Sequence, residues 1–399
     1  MKSISLLIAL TFCNSAMATA YKKLSKDYVD AQVHEIENFP LVRTQDGVGI
    51  CYAATATQLL NYQYCKQNEL DCSVLENQLS MLDVAAHSEW YTKSIPIGGI
   101  PYTLLRVLKD QARTLYKESC LPFELLAHKE GDFDKAQGKA YRGLEEIFNK
   151  RPKYLSMEQQ MCHAKTIKSF MPIEKDLQAI INAFQANSVA QFVYEVAVRD
   201  ECLDEQQKVE VPKFKPGTYP PYTNNKEVDP KSLLGKVEKL VLNDIPVGLS
   251  FCTHKRGGFS DYCGAHAATI VGVKESCNKN DCRILVKVHN SYGQSWQDFN
   301  NDGWVDGITL MERAIDYNDK GLLTWISQYA NEGEIPKKRL KRSRKEIKLN
   351  NENFALENKE TETYPENLDP SKRPMFRCDG NYFGQWKPDS NCKFMMYTK

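Results

Sequence analysis

Apolar residues recur at helical spacing through the first half of the chain, and in short β-branched runs through the second. The spacing predicts a helix within Gly47–Tyr64, led in by a polar, Gly-rich loop. It predicts a second helix over Ser73–His87 (Val74, Leu75, Leu79, Leu82, Val84) and a third over Tyr102–Thr114 (Leu104, Leu105, Val107, Leu108). Phe123–Ala186 is charged and mostly helical, an expected addition on the surface of the first half. Val189–Val198, β-branched and aromatic, reads as a strand. Pro212–Pro230 reads as a long loop and Leu233–Leu242 as an amphipathic helix stopped by Pro246. Five short apolar runs follow as strands: Val247–Cys252, Ala267–Lys274, Arg283–His289, Gly303–Val305 and Leu322–Ile326. Helices first and strands afterwards is the pattern of an α+β fold with two lobes.

Composition narrows the class only a little. The 399 residues carry a formal charge of +1, which supports neither nucleic-acid binding nor an acidic-surface partner. Met1–Ala20 has the form of a secretory leader, with Lys2, an apolar run Ile4–Phe12 and small residues through Ala16, Ala18 and Ala20. The run is too short to span a bilayer, and nothing later reads as a membrane helix. Cleavage near Ala18 or Ala20 would leave a secreted or periplasmic chain in which disulfides are permitted. Removing Cys13 with the leader leaves 12 of the 13 cysteines. Cys65/Cys72, Cys277/Cys282 and Cys378/Cys392 are spaced as local staples. Cys252/Cys263 and Cys120/Cys162 are further candidates, with Cys202 left over. The organisation expected is a leader (1–20), a main domain (21–330) with a helical and loop insertion at about 123–230, a charged linker (331–370) and a small Cys-stapled tail (371–399). The linker holds the basic run Lys337–Lys348, the kind of charge block that is usually solvated.

The chemistry centres on Val42-Arg43-Thr44-Gln45-Asp46-Gly47-Val48-Gly49-Ile50-Cys51-Tyr52-Ala53-Ala54. A cysteine at a helix start sits among unpaired N–H groups and a partial positive charge, which acidify a thiol. Taken alone, Cys51 could equally be a buried structural cysteine. Gln45, six positions upstream, could fold back to place an amide N–H where an oxyanion needs a donor. His266 stands among small residues in Gly264-Ala265-His266-Ala267-Ala268 ahead of a strand. Asn290 ends the next strand, in Asn290-Ser291-Tyr292-Gly293-Gln294-Ser295-Trp296. Neighbouring antiparallel strands would set Asn290 beside His266, where an amide oxygen fixes the tautomer. Their bland readings are a strand-edge histidine and a turn asparagine.

Together these segments resemble the papain-like cysteine peptidases, the papain/cathepsin family, as a divergent member of bacterial type. The resemblance covers roughly residues 40–330, with the motifs in the family's order. It implies Cys51 as nucleophile, His266 as base, Asn290 as the group orienting the base, and Gln45 as oxyanion donor. It also implies Trp296 as a shield over the Asn–His bond, and Gly98 and Gly99 as backbone partners of the substrate. Tyr52 and Tyr292 stand where the family usually has tryptophan, and Ala265 replaces a glycine. Val48 and Pro96 together lack the two halves of one disulfide. Cys51 and His266 are 215 positions apart, against about 130–150 commonly, which the insertion and the Pro-rich loop account for.

The resemblance implies a papain-like two-lobed fold, with a helical lobe carrying Cys51 and an antiparallel β lobe carrying His266 and Asn290. It implies a thiol protease, a hydrolase that cleaves protein or peptide substrates as an endopeptidase through a thioester acyl-enzyme. No cofactor, metal or nucleic acid is expected, and the chain is expected to act as a monomer. Two rivals are a catalytically silent peptide-binding relative and another thiol acyl-transfer enzyme, an amide hydrolase or transglutaminase-like protein. A binder needs none of Gln45, Cys51, His266 and Asn290 together, and the acyl-transfer enzymes usually orient the histidine with an acid. Asp298, Asn300, Asp302 and Gly303 resemble the start of a calcium loop, but Thr309 stands where a bidentate carboxylate is needed. The same stretch also reads as a turn into a strand, with Asp306 capping a helix through Leu310–Ile315.

Overall fold

The structure, a computed structural model, describes residues 28–45, 49–88, 99–123, 143–151, 156–171, 174–203, 208–222, 228–253, 263–317, 321–327, 335–336, 338 and 340. The leader, the linker beyond 340 and the tail with Cys378 and Cys392 lie outside these residues.

The fold mixes helices with an antiparallel sheet. Strands β1 (Val29–Glu35), β2 (Thr114–Tyr116), β3 (Lys208–Glu210), β4 (Lys215–Tyr219), β5 (Val247–Cys252), β6 (Ala265–Cys277), β7 (Cys282–His289), β8 (Trp304–Asp306) and β9 (Leu323–Ser327) alternate with ten helices among the described residues. These are α1 (Cys51–Asn68), α2 (Met81–Ala86), α3 (Pro101–Gln111), α4 (143–150), α5 (Met157–Phe170), α6 (Leu177–Ala183), α7 (Val189–Ala197), α8 (Pro230–Val241), α9 (Gln294–Phe299) and α10 (Gly307–Tyr317). The main sheet runs β4-β9-β5-β6-β7-β8. Strand β1 also pairs with β6, beyond the stretch that β5 uses. Strands β2 and β3 form a separate pair.

Helix α1 is buried on all sides from Cys51 to Cys65, because it lies between two hydrophobic clusters. One cluster gathers its alanines and leucines with α2, α3 and α4–α7. The other gathers α8, α10 and the sheet, and takes Tyr62 from α1. The small residues of α1 let it approach the sheet closely. A Cβ at Gly248 of β5 would fall 2.8 Å from Thr55 Cγ2. The ends of the helices follow local rules. Asp229 caps α8 ahead of Pro230, Ser156 and Gln159 close a capping box on α5, and Thr309 N donates to Asp306 Oδ1 at the start of α10, as the sequence leads one to expect.

Several expectations are corrected. Val189–Val198 is not a strand but helix α7. Ser188 caps it, and Val189, Phe192, Val193 and Val196 fall on one buried face at helical spacing, which outweighs their β propensity. Ser73–His87 is not one helix. A 3₁₀ turn at Leu75–Asn77 precedes α2, and Ser80 restarts the chain as the α2 cap. The Pro-rich loop contains β4, and Pro216 is tolerated because β4 ends the sheet. Strand β1 went unread in a short, mixed stretch. The described part of Phe123–Ala186 is not confined to the surface, since Leu144, Phe148, Ile167 and Ile180 join the same cluster as α1, while residues 124–142 lie outside the described residues. Cys65–Cys72, Cys252–Cys263 and Cys277–Cys282 pair as expected. Cys120, however, bonds Cys202 rather than Cys162, and Cys162 is itself disulfide-bonded, so neither is left over. Both corrections reflect chain separation, which spacing does not encode.

Candidate active site

Two of the candidate segments are bonded to each other, Gln45 to Ser291 beside Asn290, and His266 is bonded to Asn290. Cys51 is the first residue of α1, a buried thiol outside any disulfide. Its helix packs against β5 and β6, and β6 carries His266 as its second residue. Ile50, at the N-cap, offers no side-chain cap, and its backbone O accepts from Ala53 N and Ala54 N.

His266 is buried, with Phe251 of β5 edge-on to its ring at 5.4 Å and Tyr292 stacked on it at 4.3 Å, the two planes nearly parallel. Its Nε2 lies 2.8 Å from Asn290 Oδ1. The amide oxygen can only accept, so this contact places the proton on Nε2 and leaves Nδ1 as a lone pair. Asn290 is held in turn. Tyr292 N donates to the same Oδ1, and Gln297 Oε1 accepts from Asn290 N. Trp296 is buried in the sheet-side cluster on α9.

Gln45 is buried and tied to the segment after Asn290. Its backbone N donates to Ser291 O at 2.7 Å, and its Oε1 accepts from Ser291 Oγ at 2.6 Å. Thr44 bridges Tyr292, and a Cβ on Gly293, at φ +84°, would crowd Thr44. With Oε1 occupied, Nε2 is the end of the Gln45 amide left to donate. The sequence pattern singled out Gln45 but not Ser291 as its holder. The only signal was adjacency to Asn290.

Gly99 lies against Tyr52. A Cβ there would fall 2.7 Å from the ring, and the Tyr52 hydroxyl is 2.8 Å from Ser88 Oγ. Gly98 lies outside the described residues. Tyr52 is pushed up to about 12, chiefly by burial, with Ser88 opposing and the Cys51 charge adding. Burial also raises Tyr317, and again Cys51 adds to it. Burial dominates both shifts, and a negative charge on Cys51 would add to each.

The other described histidines are engaged differently. His34 contacts Asp244, His87 contacts Asp83, and His163 and His289 pack on Phe184 and Phe39. His128 and His254 lie outside the described residues. A cleft of about 1080 Å³ opens toward the far end of α1, lined by His34, Tyr62, Lys66, Asp244 and His289, away from Cys51. The three oxygen side chains of the calcium-like loop turn to separate partners. Asp298 accepts from Gln294, Asn300 donates to Trp296 O, and Asp302 accepts from Lys287. Among the described residues, Glu275 with Cys277 and Cys282 is the one cluster of metal-ligating types, and its sulfurs are joined in a disulfide.

Burial pushes His266 down to about 4, with the Asn290 contact pulling the other way. His289 is also lowered to about 4, by burial and by Lys287, against Pro40 O and Asp302. Both depressions have the same sign. Between the ordinary value of about 6.5 and 4 the unfolded chain binds more protons, so stability is complete above 6.5 and falls as the pH drops to 4. Each ring contributes on the order of 3 kcal/mol to that fall. Urea unfolding at a series of pH values should show the slope, and His289→Gln should remove about half of it. An unchanged slope in the variant would contradict the assignment of His289.

No protein-family model matches the chain, and no curated protein matches it. Among solved structures it is similar to digestive procathepsin L 3 of the Tenebrio molitor larval midgut, at 14% identity over 78% of this chain and 77% of that one, with a TM-score of 0.35. It is also similar to proCathepsin B S9 from Trypanosoma congolense, at 11% identity over 78% of this chain and 79% of that one, again at 0.35.

Proposed function

We propose that this chain is a papain-like cysteine endopeptidase of two lobes. Its central helix presents Cys51 from the helical side, and its sheet presents His266 and Asn290. The observation that carries the reading is the buried 2.8 Å contact between His266 Nε2 and Asn290 Oδ1, which leaves Nδ1 free to accept a proton. A thiol outside any disulfide, at the start of a buried helix, is the matching donor.

In this reading His266 Nδ1 takes the Cys51 proton, and the thiolate attacks the peptide carbonyl carbon. Because burial disfavours an isolated imidazolium at His266, the charged ring forms only together with the Cys51 thiolate. The C=O electrons move onto the oxygen, where Gln45 Nε2 and the Cys51 N–H donate to it. His266 returns the proton to the leaving amine as the C–N bond breaks, giving a thioester. Water then adds with His266 as base, and the acid product departs. Trp296 shields the Asn290–His266 bond from water, and the Gly98–Gly99 backbone pairs with the substrate main chain. The Met1–Ala20 leader directs export, which the disulfides fit. No helix among the described residues is long and apolar enough to cross a membrane. The test is incubation of the chain, from Tyr21 onward, with an unstructured polypeptide. Internal cleavage at neutral pH supports an endopeptidase. Binding without cleavage favours the silent relative.

A further inference from the structure

The loop that carries Gln45 is pinned at two ends, and only one end belongs to the site already described. Thr44 and Gln45 are bonded to Tyr292 and Ser291 on the sheet side. Two residues before Gln45, Arg43 reaches the other way, into the helical cluster, where its Nη2 donates to Glu118 Oε1 at 2.7 Å. Glu118 is wholly buried, and its carboxylate is fully engaged. Oε1 also accepts from Phe123 N at 2.6 Å, and Oε2 accepts from Met81 N, the first N–H of α2, at 3.1 Å. Glu118 N in turn donates to Gln78 O. A carboxylate tied to two backbone N–H groups, one of them at a helix start, has little freedom. Whatever it holds is held in a fixed place.

We infer that the buried Arg43–Glu118 pair is a positioning device for the oxyanion donor. It fixes the Gln45 loop against the helical cluster, so that Gln45 Nε2 keeps its place relative to Cys51. This rests on the proposed role of Gln45. Arg43 and Glu118 touch no substrate, so their effect passes through Gln45. A purely structural ion pair would weaken folding and every reaction of Cys51 alike. A positioning pair acts on oxyanion stabilisation alone, since a displacement of about 1 Å at such a donor costs up to about 100-fold.

The experiment compares two reactions of Cys51 in the chain from Tyr21 onward. Peptide hydrolysis passes through a tetrahedral oxyanion. Alkylation by iodoacetamide forms the S–C bond at a methylene and expels iodide, with no oxyanion. Glu118→Gln, and Arg43→Gln as a variant that leaves Glu118 its two backbone donors, are each expected to lower kcat about 10- to 100-fold. KM, the alkylation rate and its pH profile should stay as in the parent chain. In a Gln45→Ala background the same exchanges should cost nothing more, because the donor they place is gone. Equal losses in hydrolysis and alkylation, additive losses in the Gln45→Ala background, or unchanged hydrolysis would each overturn the inference while leaving the peptidase reading intact. If Gln45→Ala hydrolyses peptides as fast as the parent, or the parent does not hydrolyse them, the functional reading fails and this inference with it.

Discussion

Cys51→Ser is expected to reduce peptide hydrolysis by on the order of 10⁴-fold or more, with the protein folded as before. Serine fits the space of the cysteine side chain at the start of α1, so the packing of Tyr52, Ala53 and Ala54 is undisturbed. What changes is the chemistry. A thiol is acidified at a helix start and is strongly nucleophilic as the thiolate, whereas a hydroxyl stays protonated there. The His266 ring, held down to about 4 by burial, is too weak a base to draw a proton from serine in a water-poor pocket. Steady-state hydrolysis and thermal unfolding of the same samples decide it. Retained activity would remove Cys51 from the mechanism, and a lost fold would show the thiol to be structural.

The largest effect on stability should come from the bridge between Cys120 and Cys202. It closes a loop of 82 positions that contains α4, α5, α6 and α7. In the chain-entropy model, a cross-link over that length removes about 4.5 kcal/mol of unfolded-state freedom, and measured losses of native bridges run from about 2 to 5. The Cys120→Ala/Cys202→Ala pair is therefore expected to lower the unfolding free energy by about 3–4 kcal/mol, as read from denaturant midpoints at constant slope. Because α7 packs on α2, and residues of α4–α6 share the cluster around α1, the loss should appear as weaker global stability. A separate early transition confined to 143–202, or no change, would contradict this account of the core.

The chain's plan was legible where local pattern and tertiary role agree. Val247–Cys252, the His266 strand and the run ending at His289 read as strands and are strands, because each is an apolar run between turn residues. That order alone placed Asn290 beside His266, and the two residues do meet. Helix α7 was misread because its buried face holds valines and a phenylalanine, residues that look like a strand until their spacing is weighed against the Ser188 cap. Strand β1 exists only because β6 offers an edge to it, and its own exposed Val29 and Val33 give no periodic signal. Distance in sequence hid the rest. Glu118 lies 75 positions from Arg43, and Cys202 lies 82 from Cys120, so neither partnership has any mark in local composition. Ser291 was in view beside Asn290, but its hold on Gln45 needed the two loops to be side by side.

The most direct test of the central claim is titration of the chain from Tyr21 onward with an epoxide-type thiol-peptidase inhibitor, followed by peptide mapping in a mass spectrometer. In this reaction the Cys51 sulfur opens the epoxide ring and forms a stable thioether. The account predicts one adduct per chain, on Cys51, formed in step with loss of peptide hydrolysis and abolished by His266→Ala. No adduct, with Cys51 shown to be free and reduced, would contradict it. So would an adduct that forms equally well without His266.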